Sequence, residues 1–244
     1  DEIHLLVGGT RMYQITIVDL HTKFILNACL VRKMSKNVAK EALRECRFEQ
    51  QPKFIIRGIV KDMTAIFGKL FHKRPYNKIK LQDCKMHVKW NISEYIKAYL
   101  GIFRQSTKPV PREWKWLEEL YFNVIDSHNE ADWHINMIIL DSKVEKLPKK
   151  KKRHLKNAVR QLHSRKEKIL AYNTNHRMDG SNYLVESQNW HFERYRPFKR
   201  NMMTIAGAQR VADYCRFEYN LRQFPRIFRN LSEQFDEISY LSAN

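Results

Sequence analysis

Apolar and polar positions alternate along the start of the chain. Ile3–Val7 and Met12–Asp19 are rich in β-branched and aromatic residues, and only Gly8-Gly9 and its neighbours separate them. Two glycines between such runs predict a tight hairpin, because glycine takes a positive φ without steric cost. Leu20–Lys23 predicts a second turn, and Phe24–Val31 a third strand. The period then changes. Ser35 is placed to cap a helix whose Val38, Ala39, Ala42, Leu43 and Cys46 share one face. After Pro52, Phe54–Val60 is a mostly apolar run of the kind buried in a sheet centre, ending at Lys61-Asp62. Ala65, Ile66, Phe67 and Leu70 follow at helical spacing, and Lys78–Leu81 predicts a short fifth strand.

Three antiparallel strands, a crossover helix, a strand and a helix are the element order of a ribonuclease-H-like fold. The crossover helix permits a fourth strand lying parallel to, and beside, the first. From Ile92 to Leu170 the pattern is helical, broken near Pro109, Pro111 and Pro148. Its periodic segments are Tyr95–Phe103, Glu113–Ile125 and Trp133–Leu140. Lys149–Leu170 is dense in Lys and Arg, yet Leu155, Val159, Leu162 and Ile169 recur at helical spacing, which predicts an amphipathic helix with a basic face. Helical periodicity resumes at Tyr183 and runs to the end, with an interruption near Pro197. The expected class is therefore α+β. An RNase H-like core of three antiparallel strands plus parallel strands and flanking helices is interrupted by an all-α insertion. In domain terms, the core occupies 1–92, the insertion 93–170, and the C-terminal core helices 171–244.

Charge narrows the partner. A formal net charge of +19 on 244 residues repels itself unless a polyanion is near, which points to nucleic acid ahead of an anionic membrane. An apolar share of 43% excludes a disordered tail, and no apolar run approaches the roughly 20 residues of a membrane span. The opening DEIHLLVGG has no basic region before its apolar stretch and is not read as a secretory signal. Cys29, Cys46, Cys84 and Cys215 show no paired spacing, so reduced thiols in a cytoplasmic protein are expected.

Cutting a phosphodiester with two metals needs carboxylates brought together from separate elements to hold hard cations against a phosphate. Asp1 on the first strand, Asp62 at the carboxyl end of the fourth and Glu186 on a late helix are placed for this. The stretch DEIHLLVGGTRMYQITIVDLHTKFILNACLV, with Tyr13, Asp19, Thr22, Lys23, Phe24, Ile25 and Leu26, resembles the opening of insertion-sequence transposases of the DDE superfamily. FIIRGIVKDMTAIFGKLF resembles that family's second block, an apolar strand running into Asp and then a helix; Met63 stands where a Gly is usual. The block from Ser181 to Arg226 is similar to the Asn-x-x-x-Glu helix through Asn182 and Glu186, and to the later Ala-Gln and Tyr-Asn pairs through Ala208, Gln209, Tyr219 and Asn220. QDCKMHVKWNI looks like the Cys-x-x-His block of Mutator-like transposases through Cys84 and His87. Relatives of that type also insert a helical region between the second Asp and the Glu.

The resemblance implies a transposase catalytic domain that cleaves DNA strands and transfers them. Asp1, Asp62 and Glu186 are its implied catalytic triad and ligands of Mg²⁺ or Mn²⁺, and Asp19 takes a non-catalytic position. Glu193 is the rival third acid. Cys84, His87 and Asn182 are motif positions, and for Cys84 and His87 a packing or hydrogen-bonding role is preferred to zinc. Double-stranded DNA (transposon ends and target) is the implied partner, gripped by Lys152, Lys156, Arg160, Arg194, Lys199 and Arg200. The chain is expected to act as a homo-oligomer on DNA in a prokaryotic cytoplasm, away from membranes. Trp114, Trp116 and Trp133 are candidates to stack on bases, with core packing the plainer alternative. Because the chain opens at the proposed catalytic Asp1, an excised domain lacking an upstream end-binding module is expected. The alternative is a transposase-derived DNA-binding protein that no longer cuts.

Overall fold

A computed structural model of the chain describes residues 2–49, 56, 58–62, 78–103, 106–174, 180, 181, 183, 185, 187 and 204–242; side chains are described within these except at 2–6, 47–49, 174 and 226–242. The architecture is mixed α+β and mostly helical, with two small sheets, one antiparallel and one parallel. The chain divides into two compact units.

The first unit comprises 1–55, 65–77 and 183–244. Strands β1 (Glu2–Val7), β2 (Thr10–Val18) and β3 (Ile25–Val31) form an antiparallel meander in sequence order. Val7 faces Thr10 across Gly8 and Gly9, whose φ values of 53° and 78° are the left-handed pair that a two-residue hairpin requires. At the second turn the Asp19 carboxylate accepts from the Thr22 amide at 2.9 Å and the Thr22 hydroxyl at 2.6 Å. Asp19 is thus committed to closing a turn. Ser35 caps helix α1 (Lys36–Glu49), its hydroxyl accepting from the Val38 amide at 3.3 Å, and Ala39, Ala42, Leu43 and Cys46 are buried.

Strand β3 lies at the edge of this sheet and helix α6 (Ile205–Ser242) covers it. Two side-chain amides do the covering. Gln209 accepts from the Leu30 amide and donates to the Ala28 carbonyl, both at 2.9 Å. Asn220 accepts from the Ile25 amide at 2.8 Å and donates to the Ile25 carbonyl at 3.0 Å. A primary amide presents one donor and one acceptor as a strand does, so these residues pair an edge that would otherwise be open. Ala208, Ala212 and Cys215 of α6 pack with Val7 and Met12 beneath.

The second unit comprises 56–64 and 78–182. Strands β4 (Gly58–Lys61) and β5 (Lys80–Asp83) pair in parallel, and helices α2 (Lys85–Leu100), α3 (Lys115–Ile125), α4 (Glu130–Glu145) and α5 (Arg153–Ile169) build around one core. Val88, Ile92 and Ile96 of α2 meet Leu117, Tyr121 and Val124 of α3, Trp133, Met137 and Leu140 of α4, and Leu155, Ala158 and Leu162 of α5. Residues 93–170 hold no strand among the described residues.

Among the described residues β4 pairs with β5, and no pairing of β4 with β1 is present. Two expectations change here. The helical lobe was expected to begin at 93, yet α2 starts at Lys85 and supplies Val88 and Ile92 to the core, so its unit includes 78–92. The predicted helix over Tyr95–Phe103 ends at Leu100, because Gly101 takes a φ of 80° and returns the last amides to Ala98 and Lys97.

Candidate functional site

Strands β4 and β5 end together, with Lys61 opposite Asp83. The next residues are Asp62 and Cys84, and the Cys84 amide donates to the Lys61 carbonyl at 2.7 Å. Asp62 and the Cys-x-x-His turn, far apart in sequence, therefore occupy one sheet edge at the start of α2. Carboxyl ends of parallel strands are where side chains turn off a sheet toward ligands.

A buried ion triad holds this edge. Asp83 is fully buried, with Lys61 Nζ 2.8 Å from Oδ1 and Arg165 Nη1 2.7 Å from Oδ2. Lys61 Nζ also donates to the Asp62 carbonyl at 2.8 Å, which fixes the backbone where Asp62 leaves the strand. Beside it Gln82 is fully buried. Its amide donates to the carbonyls of Asp83 at 2.7 Å and Ile169 at 3.0 Å, and accepts from the Tyr172 amide at 3.0 Å. Every polar group of that side chain is used, as burial requires. Gln82 thereby ties β5 to the end of α5 and to the turn at Ala171–Thr174.

Lys85 opens α2, its ammonium 3.9 Å from the centre of the Tyr172 ring. Burial pushes its pKa down to about 8, Lys89 adds to the fall, and Asp126 opposes it. The adjacent Lys89 pairs with Asp126 at 2.6 Å. Cys84 is fully buried and makes no side-chain cap, and the His87 ring meets Trp90 edge-on at 5.0 Å. None of the four cysteines is in a disulfide. Among the described residues no three His, Cys, Asp or Glu side chains gather as a metal group.

Divalent Mg²⁺ or Mn²⁺ asks for hard oxygen ligands. Part-buried Asp62, at the end of β4, suits that role. Asp83 does not, because both its oxygens are bound by cations. Asp1, Glu186, Asn182, Arg194, Lys199 and Arg200, together with the rival Glu193, lie outside the described residues.

The basic helix is less uniform than its sequence. Lys152 is buried, and its ammonium donates to the Glu145 carbonyl at 2.5 Å and approaches the Glu145 carboxylate at 3.3 Å. It caps the last turn of α4, where carbonyls lack helical partners. Lys156 pairs with Glu145 at 2.6 Å while half exposed, and hydrogen bonds from Lys156 and then Lys152 hold the Glu145 carboxyl below its ordinary pKa. Arg160 is exposed and bonds Asn157 at 2.6 Å. Arg165 turns in to Asp83, and Lys166 pairs with Glu130. The outward basic positions include Lys149, Lys150, Lys151, Arg153, Lys156 and Arg160. Among the tryptophans, Trp133 is core, whereas Trp116 is exposed and stacks on Trp114 at 6.1 Å.

Sequence reasoning missed Lys61, Asp83, Arg165 and Gln82. The available signal was a charged residue closing each of two short strands, Lys61 and Asp83, with opposite signs. No known family model matches the chain, and no curated protein matches it.

Proposed function

We propose that the chain is the catalytic domain of a DDE-type DNA transposase with an RNase H-like core, cutting and joining DNA strands with Mg²⁺ or Mn²⁺. The observation that carries the reading is the shared edge of β4 and β5. Asp62 and Cys84 follow directly on the paired residues Lys61 and Asp83, so two blocks of the family resemblance, separate in sequence, meet at the ends of these strands. Asp62, Asp1 and Glu186 would hold the metal. The metal, when bound, supplies charge stabilisation at the phosphate and lowers the pKa of an attacking water or hydroxyl. The chain's own residues position: Lys61 fixes the Asp62 backbone, and Asp83 holds Lys61. The net charge of +19 and the outward Lys156 and Arg160 support a DNA backbone as partner.

The test is nicking of supercoiled plasmid with Mg²⁺ or with EDTA, alongside binding to one duplex across a salt series. The wild-type chain nicks only with metal, and Asp62→Ala abolishes nicking while still binding DNA. Binding without nicking by the wild type would favour a DNA-binding protein that no longer cuts. Nicking unchanged by Asp62→Ala would overturn the site. Lys156→Gln and Arg160→Gln each lower the salt slope of log affinity by about 0.9. An unchanged slope would remove α5 from the DNA path.

A further inference from the structure

Helix α6 carries a second pattern beside the residues that hydrogen-bond to β3. Tyr214, Phe217, Leu221 and Phe224 are spaced three, four and three residues apart, and they are 58%, 62%, 48% and 45% exposed. Tyr214, Phe217 and Leu221 lie on the side away from Ala208, Ala212 and Cys215, the residues that pack toward the sheet, while Phe224 at the margin of the stripe also meets the Phe24 ring at 5.4 Å. In the sequence the same alternation continues through Phe228, Leu231, Phe235 and Ile238, and the helix runs unbroken to Ser242. Single exposed apolar residues are ordinary. Four exposed residues at heptad a and d spacing, continued in the sequence by four more apolar residues at the same spacing, are not, and about three and a half heptads is the length at which such spacing specifies a coiled coil. Pro225 falls at position e, outside the a/d seam, and removes one backbone hydrogen bond.

Charge sets the direction of the partner. From Arg210 to Arg229 the helix has five arginines against Asp213 and Glu218, whereas from Asn230 to Ser242 it has Glu233, Asp236 and Glu237 and no base. A parallel copy would lay basic half on basic half. An antiparallel copy lays each basic half along an acidic one. Surface charges of this kind bias orientation more than affinity, because salt screens them. Centring the pair near position 226 also sets a positions against d positions throughout: 214 against 238, 217 against 235, 221 against 231 and 224 against 228.

We propose that two copies of this chain associate through α6 as an antiparallel two-stranded coiled coil. The inference stands on the exposed stripe, the heptad and the charge gradient, and does not depend on the nuclease reading. It is tested on the full chain by sedimentation equilibrium in high salt after nuclease treatment, so that bound nucleic acid cannot bridge copies. The wild type sediments as a dimer, and Phe217→Glu with Leu221→Glu as a monomer whose circular dichroism is unchanged. Direction is read by mild oxidation of cysteine variants. Leu221→Cys mixed with Leu231→Cys cross-links, and neither variant alone does so above the wild-type background. A wild type that stays monomeric at the highest concentration reached would overturn the proposal, as would a dimer indifferent to the two substitutions. Cross-linking of each variant with itself would overturn the antiparallel direction.

Discussion

Replacing Asp83 with Ala tests how the candidate site is held. Asp83 is fully buried and neutralises two cations, Lys61 at 2.8 Å and Arg165 at 2.7 Å. Their side chains differ in access to water, being 6% and 26% exposed. Arg165 can recover solvent when the carboxylate is lost, but Lys61 keeps only the Asp62 carbonyl at 2.8 Å. Removing one partner from a buried ion pair costs about 3–5 kcal/mol, because a charge is left uncompensated away from water. In a unit of this size each kcal/mol lowers Tm by roughly 4 °C or more, so a fall of at least about 10 °C is expected. Tryptophan fluorescence during urea unfolding suits the measurement, since Trp90, Trp114, Trp116 and Trp133 lie in the second unit and only Trp190 in the first. The companion variant carries Lys61→Met and Asp83→Leu together. It removes both buried charges at once, and hydrophobic replacement of a whole pair is often near neutral, so it should recover most of the loss. A cost below about 1 kcal/mol for Asp83→Ala would refute the reasoning, because the triad would then be solvated. So would a double variant as unstable as the sum of its parts, because the loss would then be packing and not charge.

Gln209→Ala and Asn220→Ala each remove two hydrogen bonds to β3, and each should cost about 1–3 kcal/mol by leaving edge groups unpaired. Hydrogen exchange at the Leu30 amide should quicken in the first variant and at the Ile25 amide in the second; unchanged exchange at both would show that the helix covers the edge without those amides. Lys85 gives a pH signature. Its pKa is lowered to about 8 on folding, so between that value and its ordinary 10.5 the unfolded chain binds a proton that the folded chain lacks, and stability from this group rises with pH across that window. Burial raises the Cys29 and Cys215 thiols, which acts oppositely from their ordinary value of 9.0 upward, so the difference between wild type and Lys85→Gln is the quantity to plot. A difference flat from pH 8 to 10 would show that the ammonium is solvated.

The local geometry of this protein was legible in its sequence wherever neighbouring residues decide it. Gly8-Gly9 could only be a tight turn, Ser35 could cap the helix after it, and the spacing of Leu155, Val159 and Leu162 marked the buried face of α5. The late Ala-Gln and Tyr-Asn pairs were visible as motif positions too, but not as what they are, amides that complete the edge of β3. Tertiary structure decided whatever depends on residues distant in the chain. A four-residue strand such as β4 carries too little pattern to name its partners, and only folding shows that it lies parallel to β5. The basic run 149–168 reads as one charged face because composition counts cations and not their partners. Folding turns Lys152 to Glu145 and Arg165 to Asp83, and leaves Lys156 and Arg160 exposed. Whether a charge is a surface charge depends on which acid reaches it, and in the case of Arg165 that acid lies at Asp83, more than a helix and a turn away in sequence.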